Sequence, residues 1–82
     1  MTAETESIEA RIIRIIAAEL GRDQSEITLA TSFVEDLQTS SVDIIELILA
    51  MEDDFKIEIP DEDVEKIHTV QDAVDMIEQI MA

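Results

Sequence analysis

A chain of 82 residues with no cysteine and 21 acidic side chains against five basic ones, a net charge of -16, excludes a disulfide framework, a thiolate metal centre and a cysteine nucleophile. The same charge repels nucleic acid and anionic membrane, so neither is expected as a partner. At 46% hydrophobic and 2% aromatic residues, the length allows a single domain over 1–82 whose core is aliphatic around Phe33 and Phe55.

The segment Met1 to Ser7 is polar and acidic, unlike a signal peptide, and Leu47 to Met51 is the longest apolar run. A soluble cytoplasmic monomer with no membrane insertion is expected. Ile8, Ile12, Ile15 and Ile16 recur at helical spacing, with Ile13 and Leu20 widening the stripe. Ser7 is placed to cap this helix and Gly21 to end it, so helix one spans about 8–20. Residues 22–40 form a long connection, a length that requires a function or pinning by its own side chains. Ile27, Leu29, Phe33 and Leu37 are available to pin it.

Helix two opens with Ser40-Ser41-Val42-Asp43, a capping-box pattern, and runs to Phe55. Ile57, Ile59 and Pro60 form a short extended link, because Pro60 disfavours helix at Ile59 and suits the start of the next element. A short third helix is expected over Asp61 to Lys66. Thr69-Val70-Gln71-Asp72 is a second capping box, opening a helix to about Ile80 with Val70, Ala73, Val74, Ile77 and Ile80 as its stripe. The sum is an all-α, four-helix bundle with a long first loop and a short third helix.

At 100° per residue, Ile44, Leu47, Ile48, Met51 and Phe55 share one arc of helix two, assigned to the core. Asp43, Glu46, Asp53 and Asp54, with Ala50, share another, assigned to solvent. Val42, Ile45 and Leu49 lie between, bordered by Glu52 on one side and by Glu46 and Asp53 on the other. An apolar stripe rimmed by acids is either a partner-docking surface or a wide arc packed against two neighbouring helices. The charge is uneven, with fifteen acids and two lysines in residues 35–82 against six acids and three arginines before them. Such a surface steers toward basic protein partners, unless it only keeps the chain soluble.

No catalytic constellation is present. His68 has no serine nucleophile at a recognisable elbow and reads as structural, ahead of the last cap. Asp61-Glu62-Asp63 and Glu52-Asp53-Asp54 lack calcium-loop spacing, so no metal site is expected. Gly21 stands alone, so there is no Gly-rich phosphate loop. Ser41 remains: a serine on the first helical turn after a long loop suits a phosphodiester beside the helix dipole, or is simply a cap together with Ser40.

Four segments together resemble the bacterial type II acyl carrier proteins. They are Phe33-Val34-Glu35-Asp36-Leu37; Ser41-Val42-Asp43 with Glu46-Leu47; Phe55 through Ile57 to Ile59-Pro60-Asp61-Glu62; and Thr69-Val70-Gln71 followed by Ala73. The resemblance runs without gaps from about Ile8 to Ile80. It implies a carrier that is not an enzyme, with 4'-phosphopantetheine bound covalently at Ser41 and acyl groups held as thioesters for fatty acid, lipid or polyketide enzymes. The acyl chain is then expected between the helices near Phe33, Ile48, Met51, Ile59, Val64, Ile67, Ala73 and Met76. Val42, Asp43, Ile45, Glu46, Leu49, Glu52 and Asp53 would dock a phosphopantetheinyl transferase and acyl-processing enzymes with basic surfaces. The family motif reads Asp-Ser-Leu after a Gly and a small residue, whereas this chain has Gln38-Thr39-Ser40-Ser41-Val42. That departure implies a specialised carrier. The competing class is an unmodified acidic interaction subunit that keeps the fold without the arm.

Overall fold

The three long helices each begin where a side chain takes over an unpaired backbone donor. The computed structural model of the chain describes residues 6–82. Most of the polar N-terminal segment expected not to be a signal peptide, residues 1–5, lies outside the described residues.

Helix α1 spans Ile8–Leu20, with the Ser7 hydroxyl accepting from Ala10 N–H at 3.1 Å. It ends on Gly21 at φ 65°, a left-handed conformation that an added Cβ would strain. There the Gly21 and Arg22 amides both return to the Ala17 carbonyl, satisfying the last turn. Helix α2 spans Ser41–Phe55, α3 Asp61–Val64 and α4 Val70–Met81. The α2 and α4 boxes form as the sequence predicts: Ser40 with Asp43, and Thr69 with Asp72.

One boundary and one connection differ. The third helix stops two residues early because Lys66 N–H bonds Asp63 O and Ile67 N–H bonds Val64 O, a three-residue spacing that leaves the α-helical path. The long connection contains a short 3₁₀ turn at Gln24–Glu26, capped by Asp23, whose carboxylate accepts from the Ser25 amide and hydroxyl. Those bonds hold Asp23 below the usual carboxylate range, the amide contributing most.

Helix α1 packs against both α2 and α4. The core joins Ile12, Ile16, Leu47, Met51, Val70 and Ile77 with Phe33 from the connection, all nearly inaccessible. Ile27 and Leu37 are buried and Leu29 is partly buried against the core, so the connection is pinned by the expected residues. Its backbone is also spent on α4: Val70 N–H donates to Thr31 O at 3.0 Å and Gln71 N–H to Leu29 O at 2.9 Å. These are amides that a helix start leaves without partners of its own.

One expectation is corrected. Asp54 does not face open solvent with the acidic arc. Its Oδ2 accepts from Arg11 Nη2 at 2.7 Å and Nε at 3.1 Å, while its carbonyl accepts from Nη2 at 3.0 Å. The Arg11 guanidinium also lies 4.1 Å from the Phe55 ring centre. A single-helix wheel does not register a long arginine reaching from the neighbouring helix.

No helix of the described residues is long and apolar enough to cross a membrane.

Candidate functional site

The approach to Ser41 is fixed residue by residue. Phe33 N–H bonds His68 O at 3.0 Å, and Ser32 pairs with Thr69 in an isolated antiparallel bridge. The Phe33 carbonyl then accepts from both the amide and the hydroxyl of Thr39, at 3.1 and 2.8 Å. Gln38 makes the turn at φ 55°, and Arg22 Nη2 holds the Leu37 carbonyl at 3.2 Å. The chain therefore enters α2 from a clamped loop.

At the entrance the two serines have different jobs. Ser40 is extended, and its hydroxyl accepts from Asp43 N–H at 3.3 Å. The Asp43 carboxylate returns to Ser40 N–H at 3.0 Å. Ser40 thus does the capping. Ser41, one residue inside the helix, is exposed, and among the described residues no hydrogen bond engages its hydroxyl. The α2 N-terminus supplies the positive dipole end that suits a phosphodiester at this position. The site therefore fits a phosphate-linked group with nothing to displace.

The intermediate stripe of α2 is open. Val42, Ile45 and Leu49 are 63%, 56% and 58% exposed, which removes the alternative of packing against a second neighbour. Val34 of the connection is a further large exposed apolar residue, at 65%. Glu46 and Asp53 are exposed, whereas Asp43 and Glu52 are half-buried and engaged. Asp43 serves the box, and Glu52 Oε2 accepts from Ile59 N–H at 2.7 Å.

The eight residues proposed to surround a chain do not line one cavity. Phe33, Ile48, Met51, Ile59 and Ala73 are buried, and Val64, Ile67 and Met76 are half-buried. An open groove of about 420 Å³ between α2 and α3 is lined by Ile48, Ile59 and Val64 together with Ile45, Leu49, Glu52, Asp61 and Glu65. Ile67 and Met76 line another, of about 510 Å³, with charged neighbours including Asp63, Lys66 and Asp75. Phe33, Met51 and Ala73 line neither groove.

The exposed His68 contributes backbone only: its amide donates to Asp72 Oδ2 at 3.0 Å. That bond, followed by the one from Thr69 N–H, holds the Asp72 carboxyl below its usual range. Among the described residues, no group of three or more His, Cys, Asp or Glu is placed to hold a metal. Sequence reasoning missed the Glu52 bond to Ile59 and the buried Thr39 hydroxyl. Pro60 after Ile59 marks an extended link in the sequence, but nothing there says which carboxylate catches it.

Comparison with known proteins agrees with this arrangement. The profile of the phosphopantetheine attachment site family matches residues 10–77. A solved structure assigned as an acyl carrier protein of Mycobacterium tuberculosis superposes with a TM-score of 0.84 at 32% identity, covering 89% of this chain and 97% of that one.

Proposed function

The chain belongs to the phosphopantetheine attachment family of bacterial-type acyl carrier proteins and is a non-catalytic carrier of acyl groups on that covalent cofactor; from this premise we propose that Ser41 bears the arm. When bound, the arm supplies a terminal thiol that holds acyl groups as thioesters. The observation that carries the assignment is the division of labour at the α2 entrance. Ser40 occupies the cap, so the adjacent exposed hydroxyl of Ser41 is available for a phosphodiester without loss of the helix start.

The exposed stripe of Val42, Ile45 and Leu49, with Glu46 and Asp53 at its edges, is the docking surface for a phosphopantetheinyl transferase and acyl-processing enzymes. Such partners present cations around an apolar contact. The α2–α3 groove begins at the same stripe, through Ile45 and Leu49, and leads to Ile48, Ile59 and Val64, so it receives the acyl chain. Deeper access toward Phe33, Met51 and Ala73 requires the aliphatic core to part, which flexible Met and Ile side chains allow. The protein acts as a single carrier domain, monomeric and cytoplasmic.

Incubation with a broad-specificity transferase and coenzyme A tests the site. Intact mass shows one added phosphopantetheine, Ser41→Ala abolishes it, and Ser40→Ala retains it. Label found on Ser40 alone would move the site by one residue.

A further inference from the structure

We propose that Thr39 and Arg22 are positioning residues for the loading of Ser41: together they impose the left-handed turn at Gln38, and so fix where the Ser41 hydroxyl is presented to the transferase. The proposal rests on the assignment of Ser41 above and deepens it.

The turn does not hold itself. Gln38 stands at φ 55°, a region that glycine enters freely and a residue with a Cβ does not. It is exposed, and among the described residues no hydrogen bond engages any of its groups. A residue in such a conformation keeps it only where its surroundings impose it. The imposing groups therefore lie on either side of Gln38.

On the near side is Leu37, fixed by its buried side chain and by its amide, which donates to Ser32 O at 3.1 Å. Its carbonyl accepts from Arg22 Nη2 at 3.2 Å, a charged donor on a neutral acceptor. Arg22 directly follows the α1 cap, and its own amide donates to Ala17 O at 2.9 Å. Its guanidinium thus ties the turn to the exit of α1. On the far side is Thr39. Its amide and its hydroxyl both donate to the Phe33 carbonyl, at 3.1 and 2.8 Å, and fill both lone pairs. Thr39 is buried and β-branched, so the two bonds fix backbone and side chain together. Phe33 is itself fixed, buried in the core and bonded through its N–H to His68 O at 3.0 Å.

The clamp is separate from the helix start and from the docking face. The box of Ser40 and Asp43 uses neither residue, and neither belongs to the exposed stripe of Val42, Ile45 and Leu49. Loss of the clamp therefore leaves both in place and loosens the segment 38–40 that leads to Ser41. In loading, the Ser41 oxygen forms a bond to the phosphorus that bears pantetheine and gives its proton to a base of the transferase. The phosphoanhydride bond of coenzyme A breaks, and adenosine 3',5'-bisphosphate leaves. A hydroxyl displaced by about 1 Å from its line of attack loses rate in this step, not affinity in docking.

Steady-state loading with a broad-specificity transferase and coenzyme A tests this, at a temperature where circular dichroism shows each variant folded. Thr39→Val keeps the shape and the amide bond and removes only the hydroxyl. It is expected to lower kcat about tenfold, with KM for the carrier within about twofold of wild type. Thr39→Ser restores a hydroxyl and is expected to stay within about twofold in both. Arg22→Gln is expected to lower kcat about threefold, and at a half-buried position it carries the test alone if Thr39→Val does not fold. Adding Gln38→Gly to Thr39→Val is expected to recover about threefold in kcat, because glycine enters the turn unaided. Wild-type kcat in Thr39→Val and Arg22→Gln, or a change confined to KM, would overturn the proposal. So would a loss that neither Thr39→Ser nor Gln38→Gly recovers, since general damage to the fold behaves that way. Label that persists in Ser41→Ala would instead overturn the Ser41 assignment, and the proposal with it.

Discussion

Gln38 holds φ at 55°, a region that costs a residue with a Cβ about 1–2 kcal/mol. Glycine removes that strain but loses more entropy on folding, so Gln38→Gly is expected to stabilise the protein by about 0.5–1 kcal/mol in urea unfolding. A loss of stability would mean that the Gln38 side chain contributes more than its backbone costs. The family's glycine before the attachment motif points to this position, but the turn itself is not legible from glutamine, which carries no preference for it. Two residues on, Ser40 stands where the family has aspartate. Serine and aspartate cap equally well, so what the chain loses there is one negative charge at the entrance to α2. A transferase adapted to the Asp-Ser-Leu motif is expected to modify the wild type slowly. Ser40→Asp is expected to raise that rate about tenfold, with the melting temperature within about 2 °C of wild type. Equal rates for the two would make the serine a neutral replacement and remove the basis for a specialised carrier.

The helix starts were the most legible elements, because a capping box is a local code: both Ser40–Asp43 and Thr69–Asp72 form as written. What those boxes also do at a distance was not legible. Asp72 accepts from His68 and Thr69 amides, and so steadies the segment to which the connection bonds. Because its folded pKa is depressed, its contribution is full above about 3.9, the ordinary aspartate value, and is lost as pH falls through the lower folded value. Asp72→Ala is expected to cost about 1 kcal/mol at neutral pH, with the gap to wild type narrowing below about pH 3.9. A gap unchanged into acid would assign the loss to packing. The second stripe of α2 was legible as an anomaly, and its exposure removes the reading that it packs against a second neighbouring helix. On this surface, Glu46→Lys is expected to slow association with a basic partner about tenfold at low salt and flatten its salt dependence. Ile45→Ala is expected mainly to speed dissociation, by about tenfold, since apolar anchors act once the complex has formed. Unchanged transfer kinetics in both variants would place docking elsewhere.

Over the whole molecule, 21 acidic side chains stand against five basic ones, a net charge of -16. Among the described residues the ion pairs are Arg11–Asp54, Arg14–Glu6 and Arg22–Glu26, the last at 3.7 Å, and all draw on the arginines. The two lysines join none of them. Repulsion among the remaining acids opposes the folded state, so raising salt from about 10 mM to about 500 mM is expected to add about 1 kcal/mol, or about 4–8 °C in melting temperature. A flat response would mean that the charges are spaced widely enough not to interact. The bundle, its long connection and its aliphatic core followed from hydrophobic periodicity. The groove was less legible, because its walls come from α2, the link and α3, and the bond from Ile59 N–H to Glu52 that joins two of them leaves no mark in the sequence pattern. The central claim, an acyl carrier armed at Ser41, is tested most directly by mass spectrometry of the protein purified from its own host. A phosphopantetheine localised to the peptide containing Ser41 is expected, part of it carrying an acyl thioester that hydroxylamine releases. Protein recovered wholly without the arm, or with the arm on another residue, would contradict it.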